Sequence, residues 1–293
     1  MIFGTHLKKA VITSTELIKE EMEFLNAINV YPVADGDTGT NMYYTLKGVS
    51  EAIADLNERS ISVVADAVAN ASLESARGNS GVILSQFFWG FREGVGDREY
   101  LDVPGFANAL WTGTKWAYKA VLKPVEGTIL TVMRETSEAA LHAANNGQKD
   151  DVHGFMHSIF QSALKALEKT PALLAKLGKP RVIDSGGYGF VLFLEGFVRS
   201  VGIPVRGVRV RGVRVEREKG NGGKLFCTNF LLKVTTGSIS AIRSAISDLG
   251  DSIVVVGGNG KLKVHIHSPY PELVRKRLTK FGEIVGEKID PIW

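Results

Sequence analysis

The spacing of apolar residues changes once along this chain, and that change limits the possible fold more than any other feature. Up to about residue 200, apolar positions recur three or four residues apart, as one buried helix face requires. Val11, Ile18, Met22 and Leu25 stripe a helix over 8–28, and Met42, Leu46, Val49, Ile53 and Leu56 stripe a second. Residues 61–75 are rich in alanine and suit close helix packing, and Val82–Phe91 is strongly apolar. Further helices are expected over 104–122, 128–144, 152–169 and Gly189–Val198, with a turn at Asn145-Asn146-Gly147. Nothing in this part demands a sheet. It is expected to be an all-α antiparallel barrel or bundle of about eight helices.

Beyond Gly202 the valines are spaced as in strands. Val205–Val215 contains Arg-Gly-Val-Arg-Val twice, and Phe226–Thr235, Ser252–Gly257 and Leu262–His267 also read as strands. Residues 238–249 and 271–280 read as helices. The expected organisation is therefore multidomain, with a helical domain over 1–200 and a smaller α+β domain over 201–293. The repeated arginines serve either as a solvated strand edge or as a contact for phosphate, a partner or lipid headgroups.

A 44% hydrophobic and 23% charged composition is that of an ordinary globular protein. The formal charge of +4, from 35 basic and 31 acidic residues, suits a phosphorylated ligand but gives no case for nucleic acid. Trp89, Trp111, Trp116 and the Phe87-Phe88 pair lack interleaved basic residues and fit core or interdomain packing. The single Cys227 excludes an internal disulfide framework. The N-terminus does not resemble a signal peptide, and no apolar stretch is long enough for a membrane span, so a cytoplasmic protein is expected.

Chemistry concentrates first at Asp35-Gly36-Asp37-Thr38-Gly39-Thr40-Asn41. Mg²⁺ takes near-octahedral oxygen ligands and is commonly held by one or two carboxylates plus substrate phosphates. Gly36 lets Asp35 and Asp37 converge, and Gly39 lets the main chain approach phosphate oxygens. Thr38, Thr40 and Asn41 offer donors at a helix start, where free N–H groups already favour anions. Helix capping by Asp37 or Thr38 is the alternative. Arg77-Gly78-Asn79-Ser80-Gly81, Glu126-Gly127-Thr128 and Asp184-Ser185-Gly186-Gly187 are further small-residue helix starts that would surround one phosphate site. None is a Walker loop or a dinucleotide fingerprint.

In the second domain, His265 and His267 alternate along a strand and share a face, and Cys227 lies near the start of another strand. Zn²⁺ accepts such N and S donors, and three protein ligands leave one position open. Two exposed strand histidines and a small buried thiol are the alternative. His6, His142, His153 and His157 are expected to have surface or packing roles.

The segment Asn26–Met42, Ala76–Gln86, Glu126–Val132 and the Asp184 element closely resemble the nucleotide-binding domain of the dihydroxyacetone kinase family, nearest its bacterial fatty acid kinase A branch. Phe226–Leu232, Leu249–Gly257 and Lys263–Ser268 resemble the middle domain of that branch. The resemblance implies ATP bound at one end of a helical barrel through Mg²⁺. Asp35 and Asp37 would hold the metal and help catalysis. Thr38, Gly39, Thr40, Asn41, Arg77, Gly78, Asn79, Ser80, Gly81, Thr128, Asp184, Gly186 and Gly187 would surround the nucleotide. A third metal-binding Asp of the family has only Asn29 as its nearest counterpart here. Cys227, His265 and His267 would hold Zn²⁺, the histidines acting near the acceptor. The implied reaction is phosphoryl transfer to a fatty acid presented by a separate fatty-acid-binding carrier protein, by a homodimer. The alternatives are an ATP-sensing module and part of a dihydroxyacetone-type or related small-metabolite kinase. In that branch a third domain docks the carrier, and this chain ends at Trp293, near the expected end of the middle domain.

Overall fold

The computed structural model describes residues 1–146, 151–205, 225–258 and 260–292. Both Arg-Gly-Val-Arg-Val units and Gly147 of the expected turn lie outside the described residues. The first part is helical: α1 (Gly4–Glu20), α2 (Met22–Ala27), α3 (Thr38–Ala52), α4 (Ile61–Ser75), α5 (Gly78–Val95), α6 (Val103–Ala120), α7 (Ile129–Asn145), α8 (Val152–Ala175) and α9 (Ser185–Ser200). The single helix expected over 8–28 breaks at Glu21, after which Leu25 and Ile28 are both fully buried. One small sheet has no counterpart in the sequence pattern, because strands this short carry no readable period. It pairs β1 (Ile2–Phe3) with β2 (Tyr100–Leu101).

Helix α9 fills the middle of this domain. It is apolar nearly all round, the pattern of a helix with no solvent face. Phe190, Phe193 and Phe197 meet Phe87, Phe88 and Phe106 edge to face, with ring centroids 5.2, 5.3 and 5.0 Å apart for Phe87–Phe190, Phe88–Phe193 and Phe106–Phe197. Each such pair contributes roughly 1 kcal/mol beyond its buried area. Among the described residues no helix is long and apolar enough to cross a membrane.

The second part is an antiparallel sheet of β3 (Leu225–Val234), β4 (Asp251–Gly258), β5 (Lys261–Ser268) and β6 (Gly282–Ile292), in the order β4-β5-β3-β6, with α10 (Ile239–Ile246) and α11 (Pro271–Leu278). The sequence pattern does not predict β6. Its Glu283, Glu287, Lys288, Asp290 and Pro291 hide a strand pattern, and such residues belong on an edge. One sheet face packs Phe230, Leu232, Val264 and Ile266 with Ile242 and Ile246 of α10 and Val274 and Leu278 of α11.

The other face lies on the helical domain. Val254 and Val256 join Ala69, Leu73, Ala76, Val82, Trp89 and Ala120 in a separate apolar cluster, so Trp89 takes the interdomain role expected of it. Beside this cluster Arg243 of α10 donates to the carbonyls of Lys119 (3.1 Å) and Ala120 (2.8 Å), the last residues of α6, and to Val255 (3.0 Å). A cation at a helix C-terminus satisfies carbonyls that have no partner within the helix. Val121 then pairs with Val254 in an isolated antiparallel bridge. Replacing the guanidinium (Arg243→Ala) should weaken docking by about 2 kcal/mol. Hydrogen exchange should quicken at Val254, Val255 and the end of α6 while α9 keeps its protection; unchanged exchange at both would show that the cation holds nothing.

Candidate functional site

The loop after α2 is shaped by Gly36, whose φ of 68° is left-handed and turns the chain so that Asp35 and Asp37 face each other. Burial, then the charge of Asp37 and a hydrogen bond with it, push Asp35 up to about 8 from the ordinary 3.8. Two carboxyls that share a proton in this way hold the geometry that a divalent cation would stabilise without one. Asp37 precedes α3 but makes no side-chain capping bond, which excludes the capping alternative for this residue.

The surrounding side chains brace the loop. Asn29 Nδ2 donates to the Val33 carbonyl at 2.7 Å, and its Oδ1 accepts from both the N–H (3.1 Å) and the hydroxyl of Thr38. The amide oxygen that could have served as a neutral metal ligand is thus occupied, and Asn29 acts here as a positioning residue. Thr40 is tied in the same way to Asn26, through its N–H at 3.1 Å and its hydroxyl at 2.9 Å. Gly39 does not open the backbone to a ligand: a Cβ there would strike the Met22 carbonyl and Leu25, so its smallness lets α3 cross α2. Asn41 is buried against Gly78, and Gly81 packs on Thr45. Arg77 lies over the Tyr44 ring, 4.4 Å from its centroid.

The expected glycine loops are helix first turns: α5 starts at Gly78 itself and α9 at Ser185. Ser80 Oγ is buried with no hydrogen-bond partner. Thr128 caps α7, accepting from the Leu130 N–H at 3.4 Å. Asp184 caps α9 through the Gly187 N–H at 2.7 Å and also accepts from the Ile129 backbone, while burial raises it to about 7. It therefore joins the starts of α7 and α9. Gly186 borders a cleft of about 480 Å³ together with Thr38, Asn79, Ser80, Thr128 and Asp184. Gly187 packs instead toward Val132. A smaller niche next to the cleft is bordered by Asp35, Asp37, Thr38, Gly78, Asn79, Ser80 and His267.

His267 comes from the other domain. Cys227 lies opposite His267 across β3 and β5, and Asn229 lies opposite His265. All are buried, which removes the alternative of exposed strand histidines. The ligand atoms of Cys227, His265 and His267 fall within 4.8 Å of one another. Asn229 Oδ1 accepts from His265 Nδ1 at 3.0 Å, leaving His265 Nε2 buried without a partner; His267 Nδ1 is likewise unpartnered. Burial, then the negative charge of Asp37, pushes the Cys227 thiol up to about 12, a cost that a bound cation removes. Burial also holds both histidines below their ordinary value, and a neutral ring is the form that binds metal. The donor set fits Zn²⁺, whose N and S ligands sit roughly 3.5 Å apart, after a small contraction. His267 Nε2 is 4.0 Å from Asp35 Oδ2, and its Nδ1 is 3.9 Å from Asp251 Oδ1. The two clusters separated in sequence thus form one continuous site.

The DAK2 domain matches residues 32–199. The chain belongs to the DAK2 domain family. The middle domain of fatty acid kinase A-like proteins matches residues 224–292, so both parts of this DAK2 protein are those of kinase components. It is 32% identical over 305 residues to Protein YloV of Bacillus subtilis (strain 168), an alignment covering 98% of this chain and 55% of the relative. An uncharacterized protein of Staphylococcus aureus (strain USA300) and one of Staphylococcus epidermidis (strain ATCC 12228) are each 32% identical over 307 residues, covering 99% of this chain and 55% of the relative. The chain therefore spans about half the length of these relatives.

Three polar residues of this DAK2 protein's site do not stand out in the sequence pattern. Asn229 was readable, since it lies two residues after Cys227 and so shares its face. Lys263 has the same relation to His265; it is buried beside Arg77 and Glu74, and burial lowers it to about 8. Asp251 carried no signal, because only the fold brings a strand start to His267.

The Asp35 shift has a definite sign. Between the unfolded value near 3.8 and the folded value of about 8, the folded chain keeps a proton that the unfolded chain has lost. Metal-free protein therefore loses stability as pH rises through that window. In chelator, Asp35→Asn should gain on the wild type in urea unfolding between about pH 5 and about pH 8. A constant difference between the two proteins would contradict the shared proton.

Proposed function

We propose that this protein transfers the γ-phosphoryl group of ATP to the carboxylate of a fatty acid presented by a separate binding protein. The observation that carries the reading is the 4.0 Å approach of His267 to Asp35, which brings the polar face of the middle domain against the acidic pair. In the reaction a carboxylate oxygen of the acceptor attacks Pγ, the bond from Pγ to the β,γ-bridging oxygen breaks, and ADP leaves with that oxygen. Such transfers depend on positioning and on neutralising charge over the phosphoryl oxygens.

Asp35 and Asp37 hold Mg²⁺, which neutralises the phosphate oxygens when bound. Ser80 Oγ and the first N–H groups of α5 bind the phosphates, where an anion gives the buried hydroxyl the partner it lacks. Asn79, at the rim of both cleft and niche, contributes a further donor. Asp184 and Thr128 keep the α7 and α9 starts in place at the nucleoside end. Cys227, His265 and His267 hold Zn²⁺, a fixed positive charge suited to orienting an acceptor carboxylate. Asn229 fixes the His265 tautomer for that role.

The test is transfer from labelled ATP, with and without Mg²⁺, to acyl-loaded carrier protein and to dihydroxyacetone. Mg²⁺-dependent labelled acyl phosphate is expected. Label on the free metabolite would move the assignment to a small-metabolite kinase, and ATP binding with transfer to neither would leave a nucleotide-sensing module. His265→Ala and His267→Ala should each abolish transfer while sparing ATP binding, whereas Asp35→Asn should lower transfer at least about a hundredfold. Equal loss of ATP binding in the histidine variants would show that the roles of the two domains are not separate.

A further inference from the structure

The cleft that opens beside the phosphate niche is not enclosed by the helical domain alone. Tyr31, Thr38, Asn79 and Ser80 border both spaces, so a ligand whose phosphates occupy the niche must extend into the cleft. Its volume of about 480 Å³ is that of a small-molecule site. The opposite wall consists of Ser247, at the end of α10, and the segment from Gly250 to Val254.

That segment is built in an unusual way. Ser252 has a φ of 54° and is the one non-glycine residue with a positive φ among the described residues. The pairing of β4 with β5 is interrupted between Asp251 and Val254, so the strand start bulges out of the ladder at the cleft. A non-glycine residue holds this conformation only where its surroundings over-determine it, and such positions gather at ligand sites. The surroundings here are the Val121–Val254 bridge and the Arg243 contacts to the end of α6. The wall is therefore fixed to the helical domain.

We propose that the middle domain supplies the second wall of the nucleoside subsite, so that the base and ribose of the nucleotide are held between the two domains. This inference rests on the proposed phosphoryl-transfer reading and extends it. The cleft places apolar Ile129 and Val254 on its two sides, suiting a flat base, and carries the hydroxyl of Ser252 and the carboxylates of Asp251 and Asp184. Those carboxylates accept hydrogen bonds from ribose hydroxyls and a base amine, and they repel the head of a fatty acid. The acyl acceptor therefore approaches elsewhere, and nucleotide affinity depends on a docked middle domain.

The test measures binding of Mg-ATP and of Mg-tripolyphosphate to the full chain and to Ser252→Trp and Ser247→Trp, each of which narrows the cleft from its middle-domain side. Tripolyphosphate occupies only the phosphate niche, so it also reports whether the variants are folded there. Both variants should bind Mg-ATP about tenfold more weakly and bind tripolyphosphate as the wild type does. Wild-type Mg-ATP affinity in both variants would overturn the wall and leave the proposed function standing. Parallel loss of tripolyphosphate would also overturn it, since the effect would not be confined to the nucleoside. Failure of the wild type to bind Mg-ATP would remove the proposed function and this inference together.

Discussion

Carboxylates and imidazoles can be buried together only if protons or cations balance their charge, and the rest of this structure is arranged around that constraint. Asp35 meets it with a retained proton, Cys227 by remaining a thiol, and His265 and His267 by staying neutral. Each is a state that divalent cations would replace. The groups are buried because the sheet is held on α4, α5 and α6 by the Trp89 cluster and Arg243, which keeps water out of the space between hairpin and strand. Domain docking and site electrostatics are thus one problem: without the sheet, Asp35 and Asp37 would be a solvated pair of ordinary carboxylates.

Much of the fold was legible because it depends on local periodicity. The alanine-rich stretch gives α4 with the bounds read from the sequence, and the stripes of α6 and α7 place those helices within a residue or so. The strands β3, β4 and β5 follow from their valines and alternate residues. What was not legible had no local signal. The break at Glu21 falls inside an uninterrupted helical pattern, and β6 is an edge strand whose charges hide its alternation. Glycine and serine commonly precede helices, so Gly78 and Ser185 read as loop residues, yet here they are the helices' first turns.

The candidate site divides in the same way. Residue types and spacing pointed to the paired aspartates and the Cys-His-His set, since both lie close in sequence or on one strand face. Their convergence was not readable, because no pattern within either segment reports that His267 reaches Asp35. Several residues chosen for ligand contact serve the scaffold instead. Gly39 is small so that two helices can cross, Thr40 is held by Asn26, and Asn29 fastens the loop to Thr38. Sequence marks such positions as special without saying whether a ligand or a neighbouring backbone makes them so.

The aromatic packing around α9 has its own consequence. Phe190, Phe193 and Phe197 are spaced along the helix below the polar first turn at Ser185, so the part of the molecule that resists unfolding is set apart from the part that meets small molecules. Such a division leaves the rim free to diverge. A lineage could exchange the partner domain seated there, and with it the compound acted upon, without repacking a single phenylalanine.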